Sequence, residues 1–381
     1  MKVNMFIPKY MLTFKCIGSA CTDTCCAGWD INIDEDTYKK YTNCTGELKE
    51  LVQGKFRENK NSDDYLNKGF MILKEHNKCP FLNDNLLCDI HGGVGEENLC
   101  ITCKRFPRVY NIIDNIYEKS GLASCPEICT KAFLNKDKME FVEIEEVLDE
   151  SAIEIRRIID TEVFEGSDNL LQYFWDIRVN SINIIQDRNF SIEERLDILK
   201  SFYNKIEEYY NEKDFEGIEG VLYEYSEGNI DFEYLKILDL NESNEFYLSL
   251  LDEELIKNIR SVRLKKCVEE YKKGILQVNN ITKYINDEET ILKSIDRYSY
   301  ILENYLANQI FKDLIPFNKG ENLNLSINIL IKSYRTIKAY IIGIALNNKE
   351  INEELIIGVI QSISKDIEHN KVFKNILEAY I

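Results

Sequence analysis

The sequence predicts a mainly α-helical protein headed by a small cysteine-rich, metal-binding module of short hairpins. Three observations carry that prediction. Eleven of the twelve cysteines lie at or before Cys129, and four of the five prolines precede residue 127. After residue 130 apolar residues recur at helical spacing through most of the chain. Charge is equally uneven: residues 1–130 carry 16 Lys+Arg against 18 Asp+Glu, leaving 31 against 48, a net of −17, for the remainder. Composition therefore divides the chain into 1–130, a cysteine-rich iron–sulfur or zinc module, and 131–381, an α-helical bundle or array.

In chain order, IDEDTYKKY (33–41) is the first clear element, its acidic start suiting the positive end of a helix. GFMILKE (69–75) has strand character. CPFLNDNLLCDIH (79–91) reads as a hairpin turning at Asn83-Asp84-Asn85, and RVYNIIDNIYEKS (108–120) as another turning at Asp114-Asn115. HGGVGEE (91–97) is read as a turn between cysteine motifs. Helical periodicity then runs through 168–187, 191–210, 246–272, 286–315, 323–346 and 351–367. The best-marked helix, SIEERLDILKSFYNKIEEYY (191–210), opens with Ser191 and Glu194, a capping box in which each side chain bonds the other's free backbone N–H. Pro316 is expected to end a long helix ahead of the loop FNKGEN.

Apolar content of 44% and charged content of 30% describe a globular chain with ample core material. A net charge of −19 argues against nucleic acid as the main partner, because phosphate backbones need basic surface. The opening MKVNMFIPKYMLTFKC lacks a secretory pattern, and no run of eighteen apolar residues predicts membrane insertion. The expected location is the cytoplasm, where thiols stay reduced and clustered cysteines bind metal more often than they form disulfides.

The sulfurs fall at Cys16, Cys21, Cys25, Cys26, Cys44, Cys79, Cys88, Cys100, Cys103, Cys125 and Cys129. Cys21 and Cys25 are four apart and share a face on a helical turn, whereas adjacent Cys25 and Cys26 point apart. That leaves open two metal centres, or one ligand beside a differently employed thiol. Cys100 and Cys103 form a C-x2-C pair, a common knuckle for zinc or iron–sulfur ligation. His76 and His91 flank the Cys79–Cys88 hairpin as H-x2-C-x8-C-x2-H, a pattern that suits zinc. Spacing leaves iron and zinc both open.

The stretch FKCIGSACTDTCCAGWDINIDEDTYKKY (14–41) resembles the opening of the flagellin lysine-N-methylase family. CPFLNDNLLCDIHGGVGEENLCITCKRFPR and SCPEI resemble its next blocks in order, as do WDIRVNSINIIQDRNFSIEERL and ENYLANQIFKDLIPF further on. The resemblance implies an S-adenosylmethionine-dependent methyltransferase acting on lysine side chains of flagellin, with an iron–sulfur cluster of the 4Fe–4S type. The positions matching the family's cysteines are Cys16, Cys21, Cys25, Cys26, Cys79, Cys88, Cys103 and Cys125; Cys44, Cys100 and Cys129 fall outside the pattern. Eight candidates exceed the four ligands of one cubane.

Methyl transfer to lysine needs a neutral amine, yet a free lysine has a pKa near ~10.4, so the site must help remove a proton. Desolvation, or a tyrosine or carboxylate relay, can do this, and aromatic faces can hold a sulfonium. Tyr305, inside a family-like block, is the candidate catalytic residue, with a half-buried helix position as the plainer reading. Trp29, Arg178 and Arg188 are candidates for the donor site; the arginines read equally as ion-pair residues, and Trp29 as a lid over the sulfurs. No strand–GxGxxG–helix unit encodes a Rossmann-type donor site. The competing functions are a non-catalytic zinc- or iron-binding adaptor and an iron–sulfur redox protein. The acidic C-terminal part could attract a lysine-bearing segment, although ordinary solubility also explains it.

Overall fold

Alternation begins at the N-terminus. Val3, Met5 and Ile7 are buried while Lys2 and Asn4 are exposed, the period of two that defines a strand with one face on a core. The computed structural model describes residues 1–149, 152–228, 242–287 and 289–380. Its strands, in order, are β1 (Lys2–Pro8), β2 (Asn32–Ile33), β3 (Phe56–Glu58), β4 (Gly69–Met71), β5 (Arg108–Ile113), β6 (Ile116–Gly121), β7 (Phe141–Val147), β8 (Ile155–Ile159) and β9 (Asn318–Glu321).

Five of them form one sheet in the order β7-β1-β6-β5-β8. β1 runs antiparallel to β7 from Lys2↔Val147 to Pro8↔Phe141, and parallel to β6 with Met5 opposite Tyr117. β5 and β6 form the expected hairpin, in register from Arg108↔Gly121 to Ile113↔Ile116. Asp114 and Asn115 both take positive φ (49° and 63°), as a tight two-residue hairpin requires. The Asp114 carboxylate also accepts from Thr161 N (2.6 Å) and Trp175 Nε1 (2.6 Å), which pins the turn to the helical part.

This sheet corrects the expectation that secondary structure changes character at residue 130. β7 and β8 lie beyond that point and join strands from before it. In FVEIEEV exposure alternates from Val142 to Val147, because an edge strand wets one face. Its acids therefore counted toward the negative C-terminal charge and hid its period. Buried residues also divide differently. One core runs from Val3 to Leu377, and a second gathers Ile31, Ile33, Tyr41, Met71, Phe81 and Cys100 around the small sheet β2-β4-β3.

The helices mostly follow the sequence reading. Glu35–Asn43 is capped by Asp34, and Ile192–Glu212 has both hydrogen bonds of the Ser191–Glu194 capping box. Over 246–272, one expected periodicity becomes three helices: Asn244–Ser249, Glu253–Lys257 and Val262–Ile275. Asp252 and Ser261 start the second and third by accepting from free backbone N–H groups. The stretch 286–315 is likewise divided among Ile281–Asp287, Glu289–Asp296 and Ser299–Asp313, with residue 288 outside the described set. The last of these ends before Pro316 on a left-handed Leu314, and part of the expected loop is extended as β9. The 69–75 strand shortens to β4, and the 79–91 hairpin reduces to a turn closed by the single bridge Leu82↔Cys88.

Two glycines let the longest helix touch a neighbour closely. Where Val262–Ile275 crosses Leu323–Asn348, a Cβ on Gly274 would lie 1.8 Å from the Gly343 carbonyl oxygen. Tyr271 stacks on Tyr340 beside this crossing (4.6 Å, 22°). Behind these lies Glu353–His369, mostly buried from Ile356 to Asp366, which carries the site below. No helix among the described residues is long and apolar enough to cross a membrane.

Candidate functional site

The segment CTDTCCAGWD (21–30) lies along the helix Glu353–His369 and the turn before Val262–Ile275. Lys365 donates to Asp23 Oδ2 (2.7 Å) and to the Thr24 carbonyl (2.8 Å). Gln361 donates to the same Asp23 oxygen (2.9 Å) and to the Ser124 carbonyl (2.8 Å), joining two cysteine-bearing segments. Arg263 reaches Thr22 Oγ1 (3.3 Å) and Gln361 Oε1 (3.0 Å). Arg260 holds Asp30 with a two-pronged pair (2.6 and 2.9 Å), and that pair lowers the Asp30 pKa. Lys365 is almost wholly buried and Asp23 largely so. Removing one partner would strand the other's charge, so this attachment is specific.

An aromatic stack sits at the end of the same helix. Trp29 lies on the His369 ring (4.4 Å, 28°), with Phe106 against both. The indole N–H donates to the Cys25 carbonyl (2.7 Å), so the stack and the sulfur segment share one backbone. Ser124 Oγ lies 3.1 Å from His369 Nε2, and the Ser124 N–H donates to Glu368 (3.1 Å). Burial first, then the nearby Arg156 and Lys365 charges, push the His369 pKa down to about 3. The ring is neutral at pH 7.

All twelve cysteines are free thiols. Burial pushes Cys125 up to about 12, with Cys21 and Cys25 adding to the effect, and Cys21 is raised by burial and then by Cys25 and Cys16. These four form one electrostatic neighbourhood. In the other, burial pushes Cys79 up to about 12, and Cys88, Cys100 and Cys25 raise it further. Cys103 shares a thiol hydrogen bond with Cys100 and is raised well above normal, with Cys26 and Cys79 contributing. Cys25 links the groups: its thiol is raised first by a hydrogen bond with Cys26, then by desolvation. Cys100, outside the motif pattern, thus belongs with the motif cysteines, and its fixing is local. Cys103 N and Lys104 N both donate to its carbonyl (3.0 Å each), while buried Asp34 caps one helix and accepts from Ile101 N (2.9 Å). Cys44 and Cys129 instead donate to the carbonyls of Tyr41 and Ala123.

Among the described residues, no three Cys, His, Asp or Glu side chains already converge on a metal-sized point. The donor chemistry nevertheless fits a thiolate-bound centre: the thiols are grouped, none is in a disulfide, and burial raises Cys79 and Cys125, a shift that a bound cation would reverse. His76 and His91 are solvent-exposed.

The other sequence candidates lie elsewhere. Arg178 is buried and paired two-pronged with buried Glu118 (2.5 and 3.0 Å), its guanidinium 4.3 Å over Phe311. The donor-site expectation for it is corrected: no face of the side chain is open. Arg188 clasps buried Glu303 (2.8–3.1 Å), which also takes Arg195 (2.7 Å), so it serves an ion-pair network. Tyr305 is 1% exposed, packed edge-on against Phe133, and burial holds its hydroxyl protonated. It is a core residue, and the catalytic expectation for it is corrected as well. Trp29 alone of this group stands beside the sulfurs. The sequence reading missed His369, Gln361, Lys365 and Asp23. A lone third histidine at a helix C-terminus was the one available signal.

Comparison with known proteins adds family relationships. Residues 178–381 match the family model described as the FliB lysine N-methylase C-terminal domain. A protein named lysine-N-methylase from Salmonella typhimurium is 26% identical over 202 residues, covering 53% of this chain and 47% of that protein. One of the same name from Salmonella choleraesuis matches to the same extent. Flagellar biosynthetic protein FliU of Salmonella muenchen is 29% identical over 139 residues, 36% of this chain and 82% of that protein. The chain spans about half the length of the curated lysine-N-methylases it matches. No solved structure matches it.

Proposed function

The chain belongs to the FliB lysine N-methylase family, and from that premise we propose that it is an S-adenosylmethionine-dependent protein methyltransferase that N-methylates lysine side chains of flagellin. A 4Fe–4S cluster, held by cysteines among Cys16, Cys21, Cys25, Cys26, Cys79, Cys88, Cys103 and Cys125, belongs to this reading, with zinc as the alternative metal. The names of the relatives support the methylase and flagellar parts. One observation carries the assignment of a site: the sulfur segment 21–30 is fastened onto Glu353–His369, a helix of the matched domain.

The reaction displaces a sulfonium methyl by the lone pair of a lysine amine, and the amine's proton must leave. The cluster, when bound, would supply an electrophilic iron able to ligate the donor's amino and carboxylate groups. The chain's own residues supply the rest. Trp29 and Phe106, packed together beside the sulfur segment, are aromatic groups of the kind that favours a sulfonium. Neutral His369, stacked on Trp29, adds no charge of its own to that group. Desolvation against these rings lowers the pKa of an incoming lysine, because it penalises the charged form. Ser124 Oγ, 3.1 Å from His369 Nε2, holds the imidazole in its orientation.

The test is incubation of anaerobically purified protein with S-adenosylmethionine and flagellin, followed by the intact mass of flagellin. Mass rising in whole methyl steps at lysine supports the reading. No added mass across a range of conditions overturns it and leaves a metal-binding adaptor.

A further inference from the structure

A second feature lies apart from the sulfurs. A cavity of about 490 Å³ opens between the end of the five-stranded sheet, the C-terminal end of Ser299–Asp313, the first turns of Leu323–Asn348 and the helix Lys371–Tyr380. That volume suits a small organic molecule. Its lining runs against the charge of the whole chain. Seven cationic side chains face it against three acidic ones, in a protein of net charge −19.

The acids are already used. Asp313 sits between Lys312 (2.9 Å) and Arg156 (3.4 Å), Glu368 faces Lys312 (3.3 Å), and Glu378 faces Lys374 (3.7 Å). The remaining cations have no carboxylate partner among the described residues. Arg157 bonds only the carbonyls of Phe317 and Asn318 (3.3 and 2.8 Å), and Lys332 only that of Glu378 (2.6 Å). Lys319 and Lys371 are exposed at the rim. Within the wall, Gln309 Oε1, Glu368 Oε1 and Glu378 Oε1 are buried acceptors without a hydrogen-bond partner, so an anion is held by the cations and not by these oxygens.

We propose that this cavity binds a small polyanion, with phosphoryl or clustered carboxylate groups, at a site that contains none of the cysteines or stacked rings and meets the methyl-transfer site only at Glu368. A lysine that arrives protonated and a sulfonium both carry positive charge that this lining repels. Four unpaired cations around one cavity match two or more clustered negative charges, and the Arg157 guanidinium matches a phosphoryl or carboxylate edge. The binding claim does not depend on the methyltransferase reading.

The experiment is calorimetric titration of the full chain with pyrophosphate, and in parallel with citrate, which separates phosphoryl from carboxylate preference. One-to-one binding of either probe, weakening as salt rises, is expected. Lys319→Met combined with Lys371→Met alters only exposed positions, and it should weaken binding roughly tenfold or more, as loss of charge-assisted hydrogen bonds does. Lys131→Met, on a distant helix, should leave affinity unchanged. Circular dichroism confirms the fold of each variant. The proposal is overturned if neither probe binds at millimolar concentration, if the double variant binds as tightly as the native chain, or if S-adenosylmethionine displaces the probe.

Discussion

Replacing Arg178 by Met tests whether that arginine braces the fold or serves a ligand. The side chain is 3% exposed, its partner Glu118 is 1% exposed, and two hydrogen bonds join them. Burial alone pushes the Glu118 carboxyl up, and the guanidinium opposes that shift. Met preserves much of the packing over Phe311 but strands a desolvated carboxylate, which costs about 3–5 kcal/mol. At about 2.1 cal/mol/K per residue, a 381-residue chain unfolds with an entropy of about 0.8 kcal/mol/K, so the midpoint should fall by about 5 °C. Glu118→Gln should cost a similar amount by stranding the guanidinium instead. The double variant strands neither charge and should be more stable than either single variant by about 1–2 kcal/mol. Thermal and urea unfolding of the four proteins measure this. Additive losses, or an Arg178→Met cost below about 1 kcal/mol, would refute the buried-pair account and return Arg178 to the list of ligand-binding candidates.

Other perturbations follow from the same geometry. Because the His369 pKa is pushed down to about 3 in the folded chain, the unfolded state binds the extra proton first and stability falls as pH drops below about 6.5. The loss from pH 7 to pH 5 is about 2 kcal/mol in urea unfolding, and His369→Phe should remove that part of the slope; identical slopes would count against a buried neutral ring. Gly274→Ala places a methyl where the Gly343 carbonyl oxygen lies 1.8 Å away, so a loss of about 2–4 kcal/mol is expected, and a neutral result would contradict the close crossing. Lys365→Met leaves Asp23 with Gln361 but no counter-charge, and bares the Thr24 carbonyl. Asp23 keeps some solvent, so stability should fall by about 2–4 kcal/mol, and Cys21 and Cys25 should react faster with a thiol reagent. Unchanged thiol reactivity would mean that Lys365 does not hold the segment.

Local signals were legible and distant ones were not. The capping box at Ser191–Glu194 and the Asp114-Asn115 turn each lie within a few residues, and both formed as read. Where chemistry broke a long period, as at Asp252 and Ser261, the apolar spacing ran on and only the caps marked the stops. β1, β7 and β8 were missed because each finds its partners far along the chain, so nothing nearby declares the pairing. The site followed the same rule. Clustered cysteines announced sulfur chemistry, but the pairing of Asp23 with Lys365 and of Trp29 with His369 joins opposite ends of the sequence. Tyr305 and Arg178 misled because a polar residue in a familiar-looking block carries no mark of burial.

The most direct measurement is metal and sulfide analysis of the native protein, prepared without oxygen, alongside titration of its thiols. The account predicts iron with acid-labile sulfide, absorbance near about 400 nm from sulfur-to-iron charge transfer, and protection of the grouped cysteines until the metal is chelated. A colourless protein without iron or zinc, in which all twelve thiols react in the native state, would contradict it.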